Sequence, residues 1–266
     1  MADATNRYVN VERTAGVLTA TLSRTPVNAI DDTMLAQLDA VLDQAQGDEQ
    51  ISVLHIRSSQ KVFCAGADLA LMRACFATPQ GTTEMVAVVE RMQRVFARLE
   101  RAPFVTLAEI GGAALGGGFE LALACDLRIA AQEARLGLPE AGLGLLPAAG
   151  GTQRLTRLAG SGIARRLILG AETLDGAEAE RLGLVQWAVP RERLAEAARE
   201  LARRCAAVPR AALAENKHCI ALAAVPGDAG FAAEIAATRR LYDHPETRRR
   251  VSAFLDKRVI EPKETS

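Results

Sequence analysis

Two glutamates, Glu120 and Glu140, stand beside glycine or proline and apolar neighbours, not on a polar helix face. A carboxylate in such a setting needs a partner or a chemical task, because burying its charge is costly. Taken singly, each reads more simply as a local cap or salt bridge. Two turns are rich in small residues, and the glutamates flank the second. One is Ala65-Gly66-Ala67. The other is Gly111-Gly112-Ala113-Ala114-Leu115-Gly116-Gly117-Gly118, which leads into Phe119-Glu120 and an apolar run. Glycine lets the backbone approach a ligand closely, and a helix start presents free N–H groups with the positive end of the dipole. Two such N–H groups aimed at one oxygen would stabilise charge forming on a carbonyl. A tight turn feeding a buried helix is the alternative reading of the same glycines.

The elements that must position these residues follow from periodicity. Residues 8–13 and 16–22 alternate as a hairpin around Ala15-Gly16. Asp31 or Asp32 caps a helix whose apolar face is Met34, Leu35, Leu38, Val41 and Leu42. Residues 51–57 and 103–110 read as buried strands, and 84–101 as a long amphipathic helix. Asp68 is placed to cap a helix from Leu69 to about 77, with a polar, mobile break over 78–83. Short strands are expected over 126–130 and 134–138, around a turn. A second glycine-rich loop then runs from Gly142 to Gly151. Helices follow at 151–159, 161–169 and 176–182, then a strand over 184–189. From 192 to 257 the period is helical, broken at Pro209, Pro226-Gly227 and His244-Pro245. Recurring strand–turn–helix units define an α/β class with helices covering a sheet. A composition shift near 205 divides the chain into a core, 1–204, and a C-terminal helical region, 205–266.

Composition narrows the function classes. The 266 residues carry 32 basic and 32 acidic side chains, so no nucleic-acid or anionic-membrane partner is expected. No window is long and apolar enough for a membrane span, and the first residues lack an apolar leader. A cytoplasmic location is expected. Five cysteines without a Cys-x-x-Cys, and three scattered histidines, suggest neither a disulfide framework nor a metal site. Cys64 reads as a small buried residue, since no histidine stands ready to activate it. A dinucleotide fingerprint, a phosphate loop and a Gly-x-Ser-x-Gly elbow are all missing.

Three long stretches together resemble the enoyl-CoA hydratase/isomerase (crotonase) family. They are Phe63–Leu69, Ala114–Asp126, and Leu138–Pro147 continued by Gly150-Gly151-Thr152-Gln153-Arg154-Leu155. The resemblance implies repeated ββα units forming a superhelical core, with a C-terminal α-helical region used for trimerisation. It implies a homotrimer or a dimer of trimers, an acyl-CoA substrate, and no cofactor beyond the coenzyme A that is part of that substrate. By motif, the N–H groups of Ala67 and Gly117 would hold the thioester oxygen. Glu120 and Glu140 match the paired catalytic carboxylates of the hydratases, which hold a water between them. Such a pair titrates as a coupled unit. Arg24, Val27, Ala65, Asp68, Leu69 and Gly116 match substrate- and CoA-binding positions, as do Phe254 and Lys257 near the C-terminus. Ala70 stands where many relatives have lysine. The implied activity is hydration of a 2-enoyl-CoA to a 3-hydroxyacyl-CoA. Alternatives are an isomerase, a hydratase of a branched or carboxylated acyl-CoA, and a binding protein that has lost turnover.

Overall fold

A computed structural model describes residues 7–223 and 227–259, the last six of these (254–259) as backbone only. Strands β1 (Val9–Thr14) and β2 (Val17–Leu22) form the expected hairpin. Ala15 and Gly16 both take positive φ, as a two-residue turn between right-twisted strands requires. Asp31 caps α1 (Asp32–Gly47), accepting from the Met34 N–H at 2.8 Å. The apolar face expected of α1 is the face it buries.

The chain then alternates between two sheets. Strands β3 (Val53–Ser58), β4 (Val105–Ile110), β6 (Leu127–Ala131) and β9 (Trp187–Val189) extend the hairpin into a six-stranded sheet, ordered β1-β2-β3-β4-β6-β9. Every pairing after the hairpin is parallel. Strands β5 (Ala114–Leu115), β7 (Arg135–Gly137) and β8 (Thr173–Asp175) make a second sheet, ordered β5-β7-β8. Thus β4 and β5 lead into α4 (Gly117–Leu123), and β6 and β7 lead through a short 3-10 helix (Pro139–Leu143) into α5 (Gly151–Leu169). Each of these two units gives one strand to each sheet and then a helix. The repeated ββα order expected from the resemblance is therefore the order the chain follows.

Some boundaries moved. Helix α2 (Leu69–Phe76) ends as expected, but α3 (Gly81–Arg101) begins inside the stretch read as a polar break. Gly81 packs so tightly on α2 that a Cβ there would lie 1.6 Å from the Cys75 carbonyl oxygen, so the helix can start directly against its neighbour. By contrast, the two helices expected over 151–169 do meet at Gly160, whose φ of 80° is non-helical and breaks α5 there. Only Trp187–Val189 of the expected 184–189 strand pairs. Leu184 is instead held by the buried Arg128, whose Nε donates to the Leu184 carbonyl at 2.7 Å.

Helices α6 (Gly176–Arg181) and α7 (Arg191–Ala206) cover the sheets. Three more follow: α8 (Arg210–Leu222), α9 (Ala229–Asp243) and α10 (Pro245–Val259). They dock through polar anchors more than through apolar burial. Lys217 Nζ donates to Asp126 Oδ2 at 2.7 Å and to the Phe104 carbonyl at 3.1 Å. Among the described residues, α8 buries no side chain fully and α9 only Ala237. Exposed Ile220, Phe231, Ile235 and Tyr242 lie on these two helices. No helix among the described residues is long and apolar enough to cross a membrane.

Candidate active site

Two extended segments bring the small-residue turns together. Residues 63–67 run beside both Ile30 and β5, through isolated bridges Ile30–Ala67 and Cys64–Ala114. The Ile30 N–H donates to the Gly66 carbonyl and the Asp68 N–H donates to the Ile30 carbonyl, both near 3 Å. In a parallel bridge of this kind the N–H of the central residue, Ala67, points away from Ile30. It points towards the start of α4. A Cβ on Gly117 would lie 3.5 Å from the Ala67 nitrogen, and one on Gly66 would lie 3.2 Å from the Gly117 nitrogen. Gly117 is the first residue of α4, so its N–H has no acceptor within the helix. The two amides named from the sequence are neighbours, and both are free of the hydrogen bonds that build the turns.

Glycine at 66 and 116 is required by space as well as by dihedral. Gly66 has φ 99° and Gly116 φ 52°. A Cβ on Gly66 would touch the Leu115 carbonyl at 3.0 Å, and one on Gly116 would press on Glu140 Oε1 at 2.8 Å. Gly116 therefore sets the distance at which the Glu140 carboxylate sits from the turn. The methyl of Met92, on α3, closes the site from the other side: a Cβ on Gly117 would meet it at 2.7 Å.

Glu120 lies in the first turn of α4 and is 3% exposed. The Gly151 N–H donates to its Oε1 at 2.7 Å, and the Ala149 N–H also reaches the carboxylate. Burial pushes Glu120 up to about 7; the Gly151 and Ala149 N–H groups oppose the rise and the charge on Glu140 adds to it. Glu140 lies on the 3-10 helix, part-buried. Burial raises it too, and its Oε2 is buried without a hydrogen-bond partner. Two carboxyls raised by burial and set near each other can take a proton at one point and give one at another.

The positions matched to substrate binding form one shelf. Arg24 pairs with Asp68 and, at 3.2 Å, with Asp31, and its guanidinium lies over the Tyr8 ring. Burial works to raise Asp68, but Arg24 and the N–H groups of Leu71 and Ala70 outweigh it and hold the carboxyl below its usual range. The Val27 carbonyl accepts from the Ala65 N–H at 3.0 Å. Leu69 opens α2 with its side chain exposed. So Arg24, Val27, Ala65 and Asp68 are brought together next to Ala67. The side chains of Phe254 and Lys257 lie outside the described residues. Cys64 is buried, its thiol pushed up to about 12 by that burial, with Sγ donating to the Asn28 carbonyl. It packs; it does not attack. No group of three or more His, Cys, Asp or Glu that could hold a metal occurs among the described residues.

Sequence reasoning missed Met92 and the residues that hold Glu120. Gly151 lies within the third stretch quoted above, so the only signal was its glycine. Met92 looked like any other inner position of an amphipathic helix.

With this geometry in hand, relatives are informative. A family model described as enoyl-CoA hydratase/isomerase matches residues 12–264. A short-chain-enoyl-CoA hydratase of Clostridium acetobutylicum is 34% identical over 261 residues, covering 95% of this chain and 96% of the relative. A methylglutaconyl-CoA hydratase of mouse mitochondria is 40% identical over 172 residues, 64% of this chain and 53% of the relative. Among solved structures, an enoyl-CoA hydratase from Bacillus anthracis superposes with TM-score 0.88 at 32% identity, covering 94% of this chain and 97% of that one. DspI of Pseudomonas aeruginosa superposes with TM-score 0.87 at 35% identity, covering 99% of each. The chain belongs to the enoyl-CoA hydratase/isomerase family, and its ββα core is the crotonase fold.

Proposed function

We propose that this chain is an enoyl-CoA hydratase, adding water across the 2,3 double bond of a 2-enoyl-CoA thioester to give the 3-hydroxyacyl-CoA. The observation that supports it most is the pair Glu120 and Glu140 beside the adjacent amides of Ala67 and Gly117. In this reading the two N–H groups donate to the thioester oxygen and stabilise the enolate that forms when C3 is attacked. Glu120, whose Oε1 accepts from the Gly151 N–H, takes a proton from water as the water oxygen bonds to C3. Glu140, buried without such a donor beyond its own backbone, supplies the proton that reaches C2. Arg24, Val27, Ala65, Asp68, Leu69 and Gly116 bind the CoA portion and the thioester, with Phe254 and Lys257 reaching CoA from the C-terminal helices. Coenzyme A enters only as part of the substrate, and no cofactor is required.

The apolar residues left exposed on α8 and α9 support assembly as a homotrimer or a dimer of trimers through the 205–266 region, with residues 1–204 as the core. Equal numbers of basic and acidic residues support a partner list without nucleic acid or membrane, and a cytoplasmic site of action. Light scattering of the purified chain reads the assembly directly.

Crotonyl-CoA hydration, followed by loss of the enone thioester absorbance, tests the activity. Glu120→Gln and Glu140→Gln should abolish most of it while CoA-ester binding persists. Full activity in either variant rejects the mechanism. A second reading, hydration of a branched or carboxylated enoyl-CoA, is favoured by the similarity to the mouse enzyme, and isomerisation is a third. A substrate panel including 3-methylglutaconyl-CoA and a 3-enoyl-CoA separates them.

A further inference from the structure

The loop from Pro147 to Gly151 carries the Gly151 N–H, which donates to Glu120, and the Ala149 N–H, which also favours its carboxylate, and it is tied on its other side. Gln93, on α3, donates from Nε2 to the Ala148 carbonyl at 2.6 Å. The Arg154 guanidinium donates from Nη1 to the Ala149 carbonyl at 2.9 Å, and the Arg154 backbone N–H donates to the Gly150 carbonyl at 2.9 Å. The Ala148 carbonyl and the Ala149 N–H are two ends of one peptide group. The Gly150 carbonyl and the Gly151 N–H are two ends of another. The Ala149 peptide is thus anchored at its carbonyl by Gln93 and the Gly151 peptide by the Arg154 backbone, while the Arg154 guanidinium holds the peptide between them, whose plane sets how its two neighbours are aimed. Arg154 is itself held: its Nε and Nη2 donate to Glu100 Oε2 at 3.1 and 2.9 Å, and its side chain is only 10% exposed. Gly150, at φ 108°, leaves room for it, since a Cβ there would come within 2.2 Å of Nη1.

We propose that Arg154 and Gln93 are positioning residues for Glu120, holding the 148–151 peptides from α5 and α3 so that two N–H groups stay on its carboxylate. Neither touches the reacting atoms. The inference rests on the reading of Glu120 as the base of hydration. The charged groups that bear on Glu120 are Glu140, which raises it, and Arg154, which lowers it alongside the two N–H groups. Removing Arg154 takes away a cation and loosens the donors, and both changes disfavour the carboxylate.

The test is crotonyl-CoA hydration by the full chain from about pH 5.5 to about pH 9, which brackets the acid limb of a base near neutrality. Arg154→Met should lower kcat about ten- to a hundredfold with KM changed less than about threefold, because the base is misplaced while the substrate shelf is intact. Its acid limb should move to higher pH, and Arg154→Lys, which keeps the charge, should return the limb towards the wild-type position. Gln93→Leu, at an exposed site, should lower kcat in the same direction by about threefold. A wild-type kcat and limb in both variants, or a loss of kcat with the limb unmoved, overturns the inference. If Arg154→Met does not fold, Gln93→Leu decides it. Glu120→Gln is measured alongside. An active Glu120→Gln rejects the base itself, whereas an inactive one with unmoved limbs in the other variants rejects only the positioning role.

Discussion

Glu120 sits on a helix whose every residue is buried and receives two backbone N–H groups, whereas Glu140 sits on a 3-10 helix with no fully buried residue and keeps one buried oxygen unpartnered. Around Glu120 the chain spends α3, α4, α5 and a braced loop. Around Glu140 it places the Gly116 turn on one side. After Glu140 come a left-handed Gly144 and the exposed Leu143, Leu145 and Leu146. The same side chain is thereby given two characters. Burial raises both carboxyls, Glu120 to about 7 in spite of the N–H groups that oppose the rise, and Glu140 in the same direction with only its own backbone opposing. Two environments, not two residue types, set the members of the pair apart.

The largest effect should come from removing either carboxylate. Glu120→Gln and Glu140→Gln should each cut crotonyl-CoA turnover by about a hundredfold to ten-thousandfold, the range of a general acid or base. Residual rates that rise with pH in one variant but not the other would sharpen the contrast; identical profiles would break it. Next is Gly116→Ala. The backbone there holds φ 52°, which a Cβ disfavours, and that Cβ would press on Glu140 Oε1, so kcat should fall about ten- to a hundredfold through displacement of Glu140. Its pH profile should resemble that of Glu140→Gln, and a resemblance to Glu120→Gln would show that the two supports are not separate.

Stability gives a third measure. Glu120 rises from an ordinary 4.5 to about 7 in the folded chain. A carboxyl raised in this way binds its proton more tightly folded than unfolded, so stability falls as pH climbs between those two values and stays lower above them. Glu120→Gln removes the ionising group and should therefore stabilise the fold above pH 7, on the order of 1–3 kcal/mol, with no gain near pH 4. Thermal melts at the two pH values read this, and a pH-independent difference would contradict it. The smallest effect belongs to the binding shelf. Arg24→Ala breaks the contacts with Asp68 and Asp31 and should raise KM about three- to tenfold with kcat nearly unchanged, as loss of uniform binding does. A fall in kcat instead would tie the shelf to the carboxylates.

Local features were legible in the residues. The hairpin around Ala15-Gly16, the apolar face of α1 and the Asp31 and Asp68 caps follow from short-range rules and occur where those rules place them. So do the break at Gly160 and the helical periods after residue 192. The start of α3 and the length of β9 were not legible, because each depends on a partner far away in the chain: Gly81 on Cys75, and Leu184 on Arg128.

The site divides along the same line. Glu120, Glu140 and the two small-residue turns could be read from residue type and spacing, since a carboxylate among apolar residues and a glycine cluster are chemical statements in themselves. The supports could not. The donors to Glu120 are backbone N–H groups of Ala149 and Gly151, and a peptide N–H carries no side-chain identity. Their aim depends on Gln93 and Arg154, which read in the sequence as ordinary polar positions on two helices. Residue order alone thus determined which groups could do chemistry here. Only the packing of α3 and α5 against the turn before α4 decided how deeply each glutamate is buried and which N–H groups reach it, because burial and hydrogen-bond direction are properties of the folded surroundings and not of the residue.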